Sequence, residues 1–218
     1  MKVVFIAMLC FLSASASVAQ ERNTIEERQE LIKMSKEELN SKASKDARKE
    51  AKRLKKEGWN SAPGALPFDK QLDRSYLMQM EYDEDMFPKY LMAERISVGT
   101  TYDAAKMQAM ALAKEDLAGQ IQTEITALVE NKVANNQLGT GDAESVTKSV
   151  QEGMARIETN IGRVIPVVEV HRTLKNGNKE VLVRIAYSSS QAKSAVKKAI
   201  IDNLDPQIVS KLDEIIGW

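Results

Sequence analysis

The groups that could do chemistry here are few. One histidine, His171, and one cysteine, Cys10, occur in 218 residues. His171 follows Val168-Glu169-Val170 in an alternating run, so on an extended strand it shares a face with Glu169. A carboxylate beside an imidazole is half of a general-base arrangement, yet no second organising group completes a nucleophilic triad, and solvated or cross-strand packing is the reading taken for His171. Zinc of the usual nitrogen and sulfur type is ruled out if Cys10 is removed on maturation. Oxygen ligands crowd at Glu81, Asp83, Glu84 and Asp85, but without the spaced ligands, central glycine and distal glutamate of an EF-hand, so they read as a solvated turn. Gly139-Thr140-Gly141 has no GK[ST] ending and reads as a turn rather than a phosphate loop. Carboxylate pairs for glycoside hydrolysis would want aromatic platforms, and aromatics are only 5% of the chain. No catalytic residue, cofactor or metal ligand is therefore assigned, and an enzyme is not expected.

Cys10 lies inside an N-terminal segment with its own meaning. Lys2, the apolar run Val3 to Leu12 and the small residues ending Ser17-Val18-Ala19 form the pattern of a secretory signal peptide over residues 1–19, cleaved before Gln20. The expected location is the periplasm or the outer membrane and cell surface. Ala7-Met8-Leu9 before Cys10 does not make a lipobox, so anchoring by acyl chains is not expected. No other apolar run approaches the roughly 20 residues that cross a bilayer.

Charge is balanced overall, with 31 Lys plus Arg against 31 Asp plus Glu, so any electrostatic preference must be local and nucleic acid is not an expected partner. The local excess is in residues 20–58, a charged helical extension with capping boxes at Thr24/Glu27 and Ser35/Glu38. Its second half carries Lys42, Lys45, Arg48, Lys49, Lys52, Arg53, Lys55 and Lys56 against Asp46, Glu50 and Glu57. Leu39, Ala43, Ala47, Ala51 and Leu54 form only a thin apolar seam. These eight cations are the candidate contact with anionic lipid or an envelope glycan.

Residues 59–66 read as a linker, and 67–218 as an α+β domain. Pro67 opens a helix with Phe68, Leu72, Tyr76 and Met80 as an inward stripe. Tyr90, Met92, Ile96 and Val98 alternate along a strand closed by Gly99. Thr101 caps a long helix, rich in alanine at first and continued by Leu117, Ile121, Ile125 and Leu128. A further helix, with Asp142 as its cap, ends near Gly162. Asn176-Gly177 between two alternating runs predicts a two-residue hairpin turn. That turn sets Val170 against Val183 and Val168 against Ile185 on an apolar face, with Glu169 against Arg184 on a charged one. A helix from Ser190 turns Ala192, Val196, Ala199 and Ile200 inward. Asp205-Pro206 restarts it toward Ile208, Leu212, Ile215, Ile216 and Trp218. The expected architecture is a small, largely antiparallel sheet, one strand plus a hairpin, with helices against one face and the charged face left wet or free for a partner.

The segment Tyr102-Asp103-Ala104-Ala105-Lys106 through Ala113-Lys114-Glu115-Asp116-Leu117-Ala118-Gly119-Gln120-Ile121 resembles the bacterial envelope family typified by the twenty-kilodalton outer-membrane lipoprotein. The preceding strand ending in glycine and the later hairpin of residues 164–187 extend the resemblance over about 89–200. It implies a compact α+β assembly domain without catalytic residues. The missing lipobox and the added basic helix depart from that family. The function expected is that of an exported, non-enzymatic envelope protein acting through contacts with envelope proteins or with itself. A binding module for anionic lipid or envelope polymer, using Lys42 to Lys56, is the alternative.

Overall fold

Four antiparallel strands in the spatial order β1-β3-β4-β2 carry the architecture: β1 (Asn60–Ser61), β2 (Tyr90–Gly99), β3 (Ile165–Thr173) and β4 (Lys179–Ser188). Around them lie α1 (Lys45–Lys56), α2 (Phe68–Gln79), α3 (Tyr102–Ala134), α4 (Thr140–Glu152), α5 (Met154–Asn160) and α6 (Ser189–Ile200). The structure, a computed structural model, describes residues 41–62, 64–83, 86, 88–135, 138–201, 204 and 206–210. The signal segment with Cys10, both N-terminal capping boxes, Leu39, Glu84, Asp85, Asp205, Leu212, Ile215, Ile216 and Trp218 lie outside them. The chain is α+β, and a single compact unit begins at Ala43.

One face of the sheet packs on α3. Thr101 caps this helix through its hydroxyl, which accepts from Ala104 N at 3.2 Å. Ala105, Ala109 and Ala113 recur every four residues and are fully buried, so the helix axis can come close to β2 and β4. Past the sheet the stripe turns bulky, and Leu117, Ile121, Ile125 and Val129 pack with Val146 and Val150 of α4, Ile157 of α5 and Val196 and Ile200 of α6. Small residues against the sheet and large ones among the helices match the two spacings that the helix must satisfy.

The other face is covered too, contrary to the expected one-sided sheet. Ala43, Ala47 and Ala51 of the α1 segment, Trp59, and Phe68, Leu72 and Met78 of α2 bury Val167, Val168, Val170 and Ala186. Alanine methyls were enough because α1 need only lie close against α2, while Trp59 and Phe68 supply the bulk of this layer. Residues 43–57 thus belong to the same compact unit as 67 onward, and within 59–66 Trp59 is buried while Asn60 and Ser61 pair with His171 and Val170.

The hairpin register differs from expectation by one residue. Glu169 faces Val183, Val170 faces Leu182 and Val168 faces Arg184. The loop has three residues, Lys175-Asn176-Gly177, because Leu174 N donates to Asn178 O and Gly177 N to Leu174 O, each at 2.9 Å. Gly177 takes φ +86°, the left-handed residue of a bulged three-residue turn. Moving the partner by one residue exchanges the faces. Val183 and Ile185 therefore point to α3, and Val168 and Val170 to α2.

Smaller differences have similar causes. Gly139, not Asp142, is the residue before α4, and Asp142 lies in the first turn, where a carboxylate favours the helix dipole. On α2 the inward face is Phe68, Gln71, Leu72, Ser75 and Met78, while Met80 is 75% exposed. On β2, Tyr90 and Met92 pack against the second core, but Ile96 and Val98 are exposed beyond the reach of the covering helices.

Candidate functional site

His171 belongs to a small polar cluster between α3 and β3. The Tyr102 hydroxyl donates to Glu169 Oε1, Lys106 Nζ lies 2.8 Å from the same oxygen, and the Tyr102 and His171 rings meet edge to face at 5.3 Å. Lys106 also stands over the Tyr102 ring, 5.9 Å from its centroid. Burial raises the Tyr102 phenol above its ordinary pKa, and the hydrogen bond to Glu169 and that residue's charge add to the rise. Arg184, expected beside Glu169 and His171, is on the opposite face. There its guanidinium holds Glu94 at 2.6 Å and donates to the buried Ser75 hydroxyl at 2.7 Å.

Glu169 is fixed from both layers. Its backbone N donates to Gln71 Oε1 of α2 at 2.7 Å, and Gln71 Nε2 donates to Leu66 O at 2.7 Å. Gln71 is 3% exposed, so both ends of its amide are satisfied inside the protein. The β3 register shift between Pro166 and Val168 lies just before this point. Sequence reasoning missed Gln71 and Ser75; the only available signal was a polar residue at each helical position beside Phe68 and Leu72. With both donors committed to one carboxylate oxygen, the cluster ties α3, β3 and α2 together. Among the described residues, no three of His, Cys, Asp and Glu come together as a metal site.

The cationic candidates have a different setting. Lys45, Arg48, Lys49, Lys52, Arg53, Lys55 and Lys56 are all exposed, whereas Ala47 and Ala51 of the same helix are buried. Lys42, also exposed, lies before the compact unit. Arg53 is held by Glu50 and Glu57, each at 2.5 Å, and its hydrogen bond lowers the Glu50 pKa. Among the described residues, no carboxylate forms an ion pair with the other cations of α1. Arg48, Lys52, Lys55 and Lys56 line a groove of about 450 Å³ with Ala51 and Asp69, between α1 and the start of α2. Arg172 fastens the far end of α1: it stacks 4.6 Å from the Trp59 ring centroid, pairs with Glu180 and donates to Glu57 O at 3.2 Å.

A third feature is the outer edge of the sheet. β2 pairs with β4 over ten residues without a bulge and has no strand on its other side among the described residues. Gln120 donates to Met92 O at 3.1 Å and Arg95 to Glu94 O at 3.3 Å, two carbonyls that point to the same side of the strand. Ile96 and Val98, next along that row, are 47% and 43% exposed.

No family model matches the chain, and no curated protein or solved structure matches it. No helix among the described residues is long and apolar enough to cross a membrane.

Proposed function

We propose that this is an exported, non-enzymatic protein of the cell envelope that works through protein contacts, and that its first contact is with a second copy of itself along β2. The observation that carries this reading is the regular outer edge of β2 beside exposed Ile96 and Val98. Long, flat, apolar edges are ordinarily shortened, bulged or covered, because their unpaired N–H and C=O groups recruit another strand. A two-fold antiparallel pairing centred on Ser97 sets Ile96 of each copy opposite Val98 of the other, and one centred on Ile96 opposes the two Ile96 side chains but sets Val98 opposite Glu94. Centring it on Glu94 or Arg95 would oppose like charges, so the apolar registers are favoured. The N-terminal signal pattern supports export, and the resemblance of residues 102–121 to the outer-membrane lipoprotein family supports an assembly role.

Light scattering after size exclusion, on the chain from Gln20, tests the contact; the cut leaves the unit that begins at Ala43 intact. The expected result is a dimer for the unchanged chain and a monomer, with unaltered thermal unfolding, for Ile96→Lys with Val98→Lys. A unchanged chain that stays monomeric at high concentration, or a variant that still dimerises, overturns the self-association. Export is tested separately, by sequencing the N-terminus of protein recovered from the periplasm and finding Gln20 first.

A further inference from the structure

We infer that the outer face of α1 is a docking surface for an anionic phospholipid bilayer, held by charge at the headgroup level without insertion. The inference is independent of the β2 contact. It rests on the envelope reading only in setting nucleic acid aside.

The first support is one-sidedness. At about 100° per residue, Lys55, Lys52, Lys45, Lys56 and Lys49 fall within an arc of roughly 120°, with Arg48 inside it, and Ala47 and Leu54 lie on the far side of the helix. All six cations are exposed, whereas Asp46 and Glu50 sit on the flank, and Glu50 is bound to Arg53. Asp69 is the single acid lining the adjoining groove.

The second is rigid presentation. Ala43, Ala47 and Ala51 are at most 3% exposed and seat the helix on the domain. Ser44 caps its start by accepting from Ala47 N, while Ser44 N donates to Asp73 of α2 at 2.9 Å. Arg172 fastens its end through Glu57 O and Trp59. A cationic helix fixed flat against its own domain can meet a plane of charge without the cost of ordering it on contact.

The third is the shape of the charge. The cations run along the helix from Lys45 to Lys56, a span of about 16 Å, longer than a single phosphate covers, and the row continues past the groove that four of them border. The outward arc contains no apolar side chain, so there is nothing to bury among acyl chains, and attraction must come from surface potential. A soluble polyanion offers similar charge but not a plane; the flat, extended face favours the bilayer.

Vesicle co-sedimentation of the chain from Gln20 tests this. The expected result is binding to phosphatidylcholine vesicles containing about 30% phosphatidylglycerol, none to pure phosphatidylcholine, and release as salt shortens the screening length to about 3 Å near 1 M. Neutralising Arg48, Lys52 and Lys55 to Gln should weaken binding about fivefold per residue. The same change at exposed Lys175 and Lys198 should leave it intact, and circular dichroism should confirm that both variants fold. Equal binding to neutral vesicles, equal loss from both variants, or binding to a soluble sulfated polysaccharide but not to vesicles would each overturn the inference.

Discussion

Tyr102, in the first turn of α3, donates its hydroxyl proton to Glu169 in the middle of β3, sixty-seven residues away in the chain. Glu169 in turn is bound through its backbone to Gln71 on the opposite side of the sheet. One residue pair therefore links the two helical layers through the sheet, and it does so beside the single histidine.

Tyr102→Phe keeps the ring against His171 and removes only the donor. Glu169 retains Lys106, so the expected cost is about 1–2 kcal/mol, read from urea unfolding near neutral pH.

The same pair predicts a dependence on alkaline pH. The Tyr102 phenol is raised in the folded protein, so above about pH 10 the unfolded chain releases a proton that the folded chain keeps. The unfolded state then binds fewer protons than the native one, and stability falls as pH rises. This contribution is complete below the unfolded pKa and disappears toward the higher folded one. Tyr76 and Tyr187 are raised as well. The measurement is therefore the difference between the unchanged chain and Tyr102→Phe, which should narrow steadily as pH rises above about 10.

Gln71→Leu preserves size and apolar packing but removes the partner of Glu169 N–H and of Leu66 C=O, both part-buried. Each group left without a partner costs about 1–3 kcal/mol, so this substitution should destabilise more than Tyr102→Phe. Chemical denaturation of the two variants side by side checks the order.

Gly153 joins α4 to α5, where a Cβ would lie 2.9 Å from Ser149 O and 3.3 Å from Ile200 Cγ2. The first neighbour is backbone and cannot swing away. Gly153→Ala should cost about 1–3 kcal/mol by overpacking and lower the thermal midpoint.

Gly177→Ala meets no neighbour within 4 Å, yet its φ of +86° is unfavourable for any residue with a Cβ. The expected loss is about 1–2 kcal/mol, and Gly177→Asn should lose less. Comparing the two by thermal unfolding separates backbone strain from packing.

Much of the fold could be read from local pattern. Thr101 as a cap, the alanine run of α3 with its bulky continuation, the strand ending at Gly99 and the inward face of α6 depend on neighbours three or four residues away, or on alternation along one strand. The hairpin was visible from Asn176-Gly177, but its register was not. Two-residue and three-residue loops place Gly177 differently and need the same residue types, so the choice depends on which face of each strand meets a helix.

The candidate sites divide in the same way. The cationic run of α1 is a property of sequence and was legible, as was the scarcity of histidine and cysteine. That α1 seats its alanines on the domain with its lysines outward, that Arg184 serves Ser75 and Glu94 instead of Glu169, and that β2 is the outer strand among the described residues, with Ile96 and Val98 half exposed, were decided by tertiary structure alone. Each depends on groups from distant parts of the chain meeting across the sheet. Local periodicity says which side of an element is apolar, but only the packed arrangement says what that side touches and which side is left for a partner.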